Sequence, residues 1–235
     1  MLDQSFFHTF VKRTKTIELK KFAVILAGCG VYDGAEIHEA TLAMLAIKKA
    51  GAEYQCFAPD IAQHHVINHF TGEVMAETRN VLIESARIAR GKILPLSAFD
   101  ASAFDAILFP GGFGAAKNLS TFAFEGEAGS VNPEVESAVM AMFAQQKPIA
   151  AMCISPVFIA KILEDVKVTI GQDEGTIKTI EAVGATHIQT DHGEVLCDHE
   201  KLVFTTPCYM LDADITQIWE GANNLVQAIM EYFKK

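Results

Sequence analysis

Short apolar runs recur along the chain, each closed by glycine or proline and followed by a stretch of helical period. Residues 22–27 are continuously apolar and end at Gly28, which predicts a buried strand. Residues 36–50 place Ile37, Ala40, Leu42, Ala43, Leu45 and Ala46 at helical spacing and stop at Gly51. The same reading predicts strands over 54–58, 106–109, 149–152 and 166–170. It predicts helices over 77–90 (starting near Ala76), 133–145, 156–163 and 177–183. Residues 195–196 and 202–205 read as a hairpin pair, and 212–232 as a long amphipathic closing helix.

Strands alternating with helices predict a mostly parallel sheet covered on both faces, an α/β three-layer sandwich. Neither an internal repeat nor a low-complexity linker interrupts the pattern. In such sheets ligands bind beyond the carboxyl ends of the strands, where the strand order reverses. Three predicted strand ends carry unusual sequences: the glycine-bearing loop 28–34, the turn 110–114, and Cys153. All three are expected to face one crevice.

The stretch Ala151-Met152-Cys153-Ile154-Ser155-Pro156 carries the most chemistry. Ser155 and Pro156 read as an N-cap and a first helical residue. Cys153 then occupies a sharp strand-to-helix turn like the one that presents a hydrolase nucleophile. A sulfur aimed at a helix amino terminus has its pKa lowered. The competing reading is a packing residue, since cysteine is among the most buried types. Gly111-Gly112-Phe113-Gly114 follows a strand directly, and bare backbone there can turn amides toward developing negative charge. Gly112 and the amide of Ile154 would form a two-donor oxyanion hole, with Gly111 alongside. A plain tight turn is the alternative.

Glu36 and Glu39 open the first helix. A carboxyl group in an apolar crevice can stay protonated and hydrogen-bond a thiolate or shuttle a proton. Acidic residues also favour a first helical turn through the dipole alone. Eight histidines stand at 8, 38, 64, 65, 69, 187, 192 and 199, none adjoining Cys153. His64, His65 and His69 have spacings compatible with a metal, but Asn68, Thr71 and Gly72 make the segment read as a loop, and no metal is expected. Gly28-x-Gly30-x-x-x-Gly34 with Asp60 is a loose dinucleotide pattern whose third glycine falls one position late.

Composition narrows the classes. Half of the 235 residues are hydrophobic and the net charge is −10, which disfavours a nucleic-acid partner. Five widely spaced cysteines (29, 56, 153, 197, 208) give neither a disulfide framework nor a zinc pattern, and a reducing cytoplasm is the expected setting. No apolar run reaches the length of a membrane span, so no membrane partner is expected. Residues 1–20 mix Phe6, Phe7 and Phe10 with Lys12, Arg13 and Lys15, and read as an added helix or extension rather than a targeting segment. The domain itself is expected over 21–235.

Several long stretches resemble the ThiJ/PfpI superfamily, which shares a flavodoxin-like fold with class I glutamine amidotransferases. They are Leu26-Ala27-Gly28-Cys29-Gly30-Val31-Tyr32-Asp33-Gly34, Glu36-Ile37-His38-Glu39, Val66-Ile67-Asn68-His69, Thr71-Gly72-Glu73 and Glu77-Thr78-Arg79-Asn80-Val81-Leu82. Pro110-Gly111-Gly112-Phe113-Gly114-Ala115-Ala116-Lys117-Asn118-Leu119, Met152-Cys153-Ile154 and Thr205-Thr206-Pro207 complete the set. Within the superfamily the chain is similar to the ElbB, or sigma cross-reacting, family, a glyoxalase-like branch; the likeness spans about residues 21–233. The resemblance implies that Cys153 is the reactive elbow cysteine and that Gly112 and Ile154 supply oxyanion amides. Counting back from Lys48-Lys49-Ala50-Gly51 makes Glu39 the partner carboxylate, with Glu36 as the alternative. Ile154 departs from members that carry histidine after the cysteine, which argues against a Cys–His dyad and against protease activity.

The leading expectation is a glutathione-independent, cofactor-free glyoxalase of the lyase type, acting on a small aldehyde through a Cys153 hemithioacetal. The alternative is a redox-sensing or regulatory module with negligible turnover. The resemblance also implies a homodimer, and the apolar residues around Phe122 and Phe124, beside a glycine-rich segment, read from the sequence as a contact patch.

Overall fold

The structure is a computed structural model that describes residues 19–235. Most of the predicted extension 1–20 therefore lies outside the described residues. The chain begins β1 (Lys21–Ile25), α1 (Ile37–Lys49), β2 (Glu53–Ala58), α2 (Val81–Ile88), β3 (Ile93–Pro95) and β4 (Ala106–Phe109). Two short helices follow, α3 (Phe113–Lys117) and α4 (Phe122–Glu125), then α5 (Pro133–Ala144), β5 (Ile149–Met152) and α6 (Pro156–Leu163). The remainder is β6 (Lys167–Val168), α7 (Glu174–Ala182), β7 (Thr186–His187), β8 (Leu196–Asp198), β9 (Val203–Thr206) and α8 (Ile215–Tyr232).

Seven strands form the central sheet in the order β3-β2-β1-β4-β5-β9-β8. All neighbours are parallel except β8, which pairs antiparallel with β9 as the predicted hairpin. The strands β1, β4 and β5 are buried on both faces, as their unbroken apolar runs require. On one face α1 packs against α2 and α8; on the other α5 packs against α6, and α6 against α7. This is the expected mostly parallel, flavodoxin-like three-layer arrangement. Among the described residues, no helix is long and apolar enough to cross a membrane.

Local chemistry sets several boundaries that differ from the sequence reading. The helix predicted over 77–90 starts only at Val81, because the Asn80 side chain accepts from the Ile83 amide and caps it there. Conversely α7 starts three residues before the predicted 177, since Asp173 caps it through the Thr176 amide. The strand predicted over 166–170 shrinks to β6, which pairs with β7 in a separate two-stranded sheet. The amide of Thr169, just beyond it, turns instead to the Thr205 hydroxyl. The short elements β3, β7, α3 and α4 carry too few residues to show a period in sequence.

Strand order positions the site. The chain winds outward from β1 through β2 to β3, then returns to β4 on the other side of β1. The loops after β1, β4 and β5 therefore lie side by side at the topological switch point.

Candidate active site

The register between β4 and β5 brings the turn 110–114 to Cys153. Phe109 is paired with Ala151, so Gly111, two residues on, stands level with Cys153. Cys153 adopts φ +59°, the left-handed conformation of a strained strand-to-helix elbow. Its amide donates to the Thr206 carbonyl at 3.0 Å, which continues the β5–β9 ladder one residue further and holds the elbow in place.

Ser155 does not act as the expected N-cap. Its backbone is already helical and its hydroxyl donates to the Pro110 carbonyl at 2.7 Å. The fully buried side chain thus ties the β5 elbow to the end of β4. The Pro156 start of α6 is as predicted.

Glu36 and Glu39 separate cleanly. Glu36 is the N-cap of α1: its side chain accepts from the Glu39 amide at 2.7 Å, and its own amide donates to the Gly111 carbonyl at 2.9 Å. Glu39, one turn on, has 0% exposure and lies against Cys153. Its Oε2 accepts from the Gly111 amide at 2.8 Å and its Oε1 from the Tyr209 amide at 3.3 Å.

Burial, and the nearby Glu36 charge, raise the pKa of Glu39 to about 7; the amides of Tyr209 and Gly111 and the thiol act in the opposite direction. Cys153 is 6% exposed. Burial, with the Glu39 charge beside it, pushes its thiol well above the usual cysteine range, while hydrogen bonds from the Gly112 and Ile154 amides pull it down. The expectation of a thiol with a lowered pKa is therefore corrected: the elbow amides are present, but burial and a neighbouring carboxylate outweigh them. The two acids titrate as a unit. An ionised Glu39 keeps the thiol protonated; transfer of that proton to Glu39 would leave a thiolate facing the carboxyl O–H.

Cys153 opens into a pocket of about 340 Å³ walled by Val31, Phe113, Ile154, Tyr209 and Met210. Gly112, at φ +94°, allows the turn to press on the neighbouring loop: a Cβ there would stand 2.4 Å from the Glu36 amide nitrogen and 2.5 Å from the Gly34 carbonyl oxygen. Glycine lets loops 28–34 and 110–114 pack backbone to backbone, with Phe113 donating to Val31 and Gly114 to Gly34. The three strand-end loops do converge.

The dinucleotide reading of loop 28–34 does not fit this packing. The amides of Gly28, Gly30, Gly34 and Glu36 donate to Ser85, Ala35, Gly30 and Gly111 respectively. A carboxylate, Glu36, occupies the helix N-cap where a pyrophosphate would sit.

The histidines spread over the fold. His64 stacks on Phe124 with ring centroids 4.1 Å apart, and His69 accepts from the Tyr32 amide. Among the described residues, no group of three His, Cys, Asp or Glu side chains is placed to hold a metal ion. His187 accepts from the Ile170 amide in the side sheet. The exposed His38 reaches a pocket residue: its Nδ1 lies 2.7 Å from the hydroxyl of Tyr209, which lines the pocket. Sequence reasoning left both unassigned. His38 directly precedes Glu39, which was a usable signal; Tyr209 reaches Glu39 through its backbone, which no side-chain pattern reveals. In the expected contact patch Phe122 is buried, while Phe124 is exposed.

No protein-family model matches the chain. It is 44% identical over 221 residues to the mitochondrial ES1 protein homolog of Rattus norvegicus, covering 90% of this chain and 83% of that one. It is 45% identical over 221 residues to the mitochondrial glutamine amidotransferase-like class 1 domain-containing protein 3 of Homo sapiens, covering 90% and 82%. Both are named mitochondrial, which overturns the cytoplasmic placement: unpaired thiols report a reducing environment without saying which compartment provides it. A crystal structure of an isoprenoid biosynthesis protein with an amidotransferase-like domain from Ehrlichia chaffeensis superposes with a TM-score of 0.84 at 36% identity, over 90% of this chain and 99% of that one. Glyoxalase III from Candida albicans shares the fold at 14% identity, with a TM-score of 0.58 over 90% and 96% of the two chains. The chain belongs to the ES1 family of class 1 glutamine amidotransferase-like proteins.

Proposed function

We propose that this protein is a glutathione-independent glyoxalase in which Cys153 is the nucleophile and Glu39 moves the proton. The observation that carries the reading is the contact of the buried Glu39 carboxyl with the Cys153 thiol, beneath the amides of Gly112 and Ile154.

Transfer of the thiol proton to Glu39 begins the reaction. With the proton on Glu39, the Cys153 thiolate attacks an aldehyde carbon of a 2-oxoaldehyde and forms the S–C bond of a hemithioacetal. The amides of Gly112 and Ile154 face the charge that develops there. Glu39 gives its proton to the new alkoxide, then takes the hydrogen from the carbon bonded to sulfur, leaving an enediol. Return of a proton to the neighbouring carbon gives a hydroxyacyl thioester. Water cleaves it, releasing a 2-hydroxy acid and the thiol. The sum is aldehyde plus water to hydroxy acid, with no external oxidant or reductant.

A redox-sensing role needs the same thiolate to meet an oxidant from solvent, and has less support because Cys153 is only 6% exposed. Glyoxal consumption and glycolate formation by wild type and Cys153→Ala, without glutathione or added metal, test the proposal. Robust turnover lost in the variant is expected; equal turnover in both, or none in either, would overturn it.

A further inference from the structure

The space around Cys153 is far larger than glyoxal needs. A dialdehyde of four heavy atoms displaces about two waters, each with a liquid share of about 30 Å³. The pocket holds about 340 Å³. Its walls are Val31, Phe113, Ile154 and Met210, with the ring of Tyr209 at the rim. A second depression of about 280 Å³ adjoins it, and Phe113, Ile154, Asp173 and Thr176 line both. From that common wall the second depression continues over Ala116, Phe122, Ala123 and Val157.

Neither lining contains a lysine or an arginine. Besides Cys153 and Tyr209, the ionisable group in the walls is Asp173, whose Oδ1 accepts from both the amide and the hydroxyl of Thr176. An anionic substituent entering here would lose water and meet a carboxylate, and the nearby Lys117 ammonium, over the Phe113 ring, already donates to the Tyr32 carbonyl. An apolar substituent would lie on Phe113 and Ile154 and be favoured by each area it buries.

We propose that the preferred substrate is a 2-oxoaldehyde bearing an uncharged, apolar arm, R–CO–CHO, with the aldehyde at Cys153 and the arm crossing the Phe113–Ile154 wall into the second depression. The inference rests on the glyoxalase reading and follows the same bond changes: the S–C bond forms at the aldehyde carbon, its hydrogen passes to the neighbouring carbon, and water releases R–CHOH–COO⁻.

The test compares kcat/KM for glyoxal, phenylglyoxal and 4-carboxyphenylglyoxal in wild type and in Ala123→Trp. Ala123 is exposed, lines the second depression but not the Cys153 pocket, and takes no part in the chemistry, so an indole there is expected to obstruct the arm and leave Cys153 free. Phenylglyoxal is expected to exceed both other substrates by at least about tenfold. Ala123→Trp is expected to lower kcat/KM for phenylglyoxal by at least about fivefold and leave glyoxal unchanged. Turnover of glyoxal with no preference for phenylglyoxal over its carboxylate, or an equal loss for both substrates in Ala123→Trp, would overturn the arm while sparing the glyoxalase reading. Turnover of none of the three would overturn both.

Discussion

Gly111 presents a bare Cα to Cys153: a Cβ built on it would stand 2.3 Å from the Cys153 Cβ and 2.8 Å from its sulfur. The same glycine donates its amide to Glu39, and the missing side chain is what lets thiol and carboxyl meet over the β4 end. Gly111→Ala is therefore expected to cost about 1–3 kcal/mol through overpacking. Displacing the sulfur is expected to reduce kcat/KM for glyoxal by roughly 10²-fold. Denaturant unfolding and steady-state kinetics check the two parts. A variant with wild-type activity would mean that the Cys153–Glu39 approach is not tightly constrained.

Glu39 makes both stability and activity pH-dependent. Its folded pKa is raised to about 7 from 4.5, so the folded state binds the extra proton between those values. Stability from this group is fully present below pH 4.5 and is lost as pH rises through 7, a difference on the order of 3 kcal/mol. Glu39→Gln is expected to flatten that slope in urea titrations at a series of pH values and to be the more stable protein at pH 8. Its kcat/KM is expected to fall by about 10²–10⁴-fold, the usual contribution of a positioned acid–base group. In the wild type, kcat/KM is expected to rise with pH through about 7, where the pair loses its first proton. A profile that is flat there would remove Glu39 from the chemistry.

Asn118 cross-links the loops that frame the pocket. Its Nδ2 donates to the carbonyls of Ala27 and Asp33, and its Oδ1 accepts from the His64 amide. Asn118→Ala leaves these groups without that partner and is expected to destabilise the protein by about 2–4 kcal/mol. For a chain of this size that corresponds to a fall in Tm of roughly 5–15 °C. Because loop 28–34 then loosens against loop 110–114, glyoxal turnover is expected to fall as well. Unchanged Tm by scanning calorimetry would show that the remaining backbone hydrogen bonds between the loops suffice.

The outline of the fold and the position of Cys153 were legible because they depend on local signals. An unbroken apolar run such as 106–109 is required by a strand buried on both faces, and Pro156 marks a helix start wherever it occurs. The limits of the reading follow the same logic. Asn80 and Asp173 moved helix starts through caps that compete with weak periodicity. Ser155 satisfied the pattern of an N-cap, yet its hydroxyl found a better partner 45 residues away in Pro110.

From the sequence alone came the alternating α/β order, the elbow cysteine, the glycine turn and two candidate glutamates. These rest on spacing along the chain, and spacing is what a sequence records. Tertiary structure decided which glutamate touches the thiol, that Tyr209 supplies a second amide to it, and that the thiol is held up rather than lowered. Those outcomes depend on the β4–β5 register and on how deeply both acids are buried, and burial is set by elements far apart in sequence packing around the same strand ends.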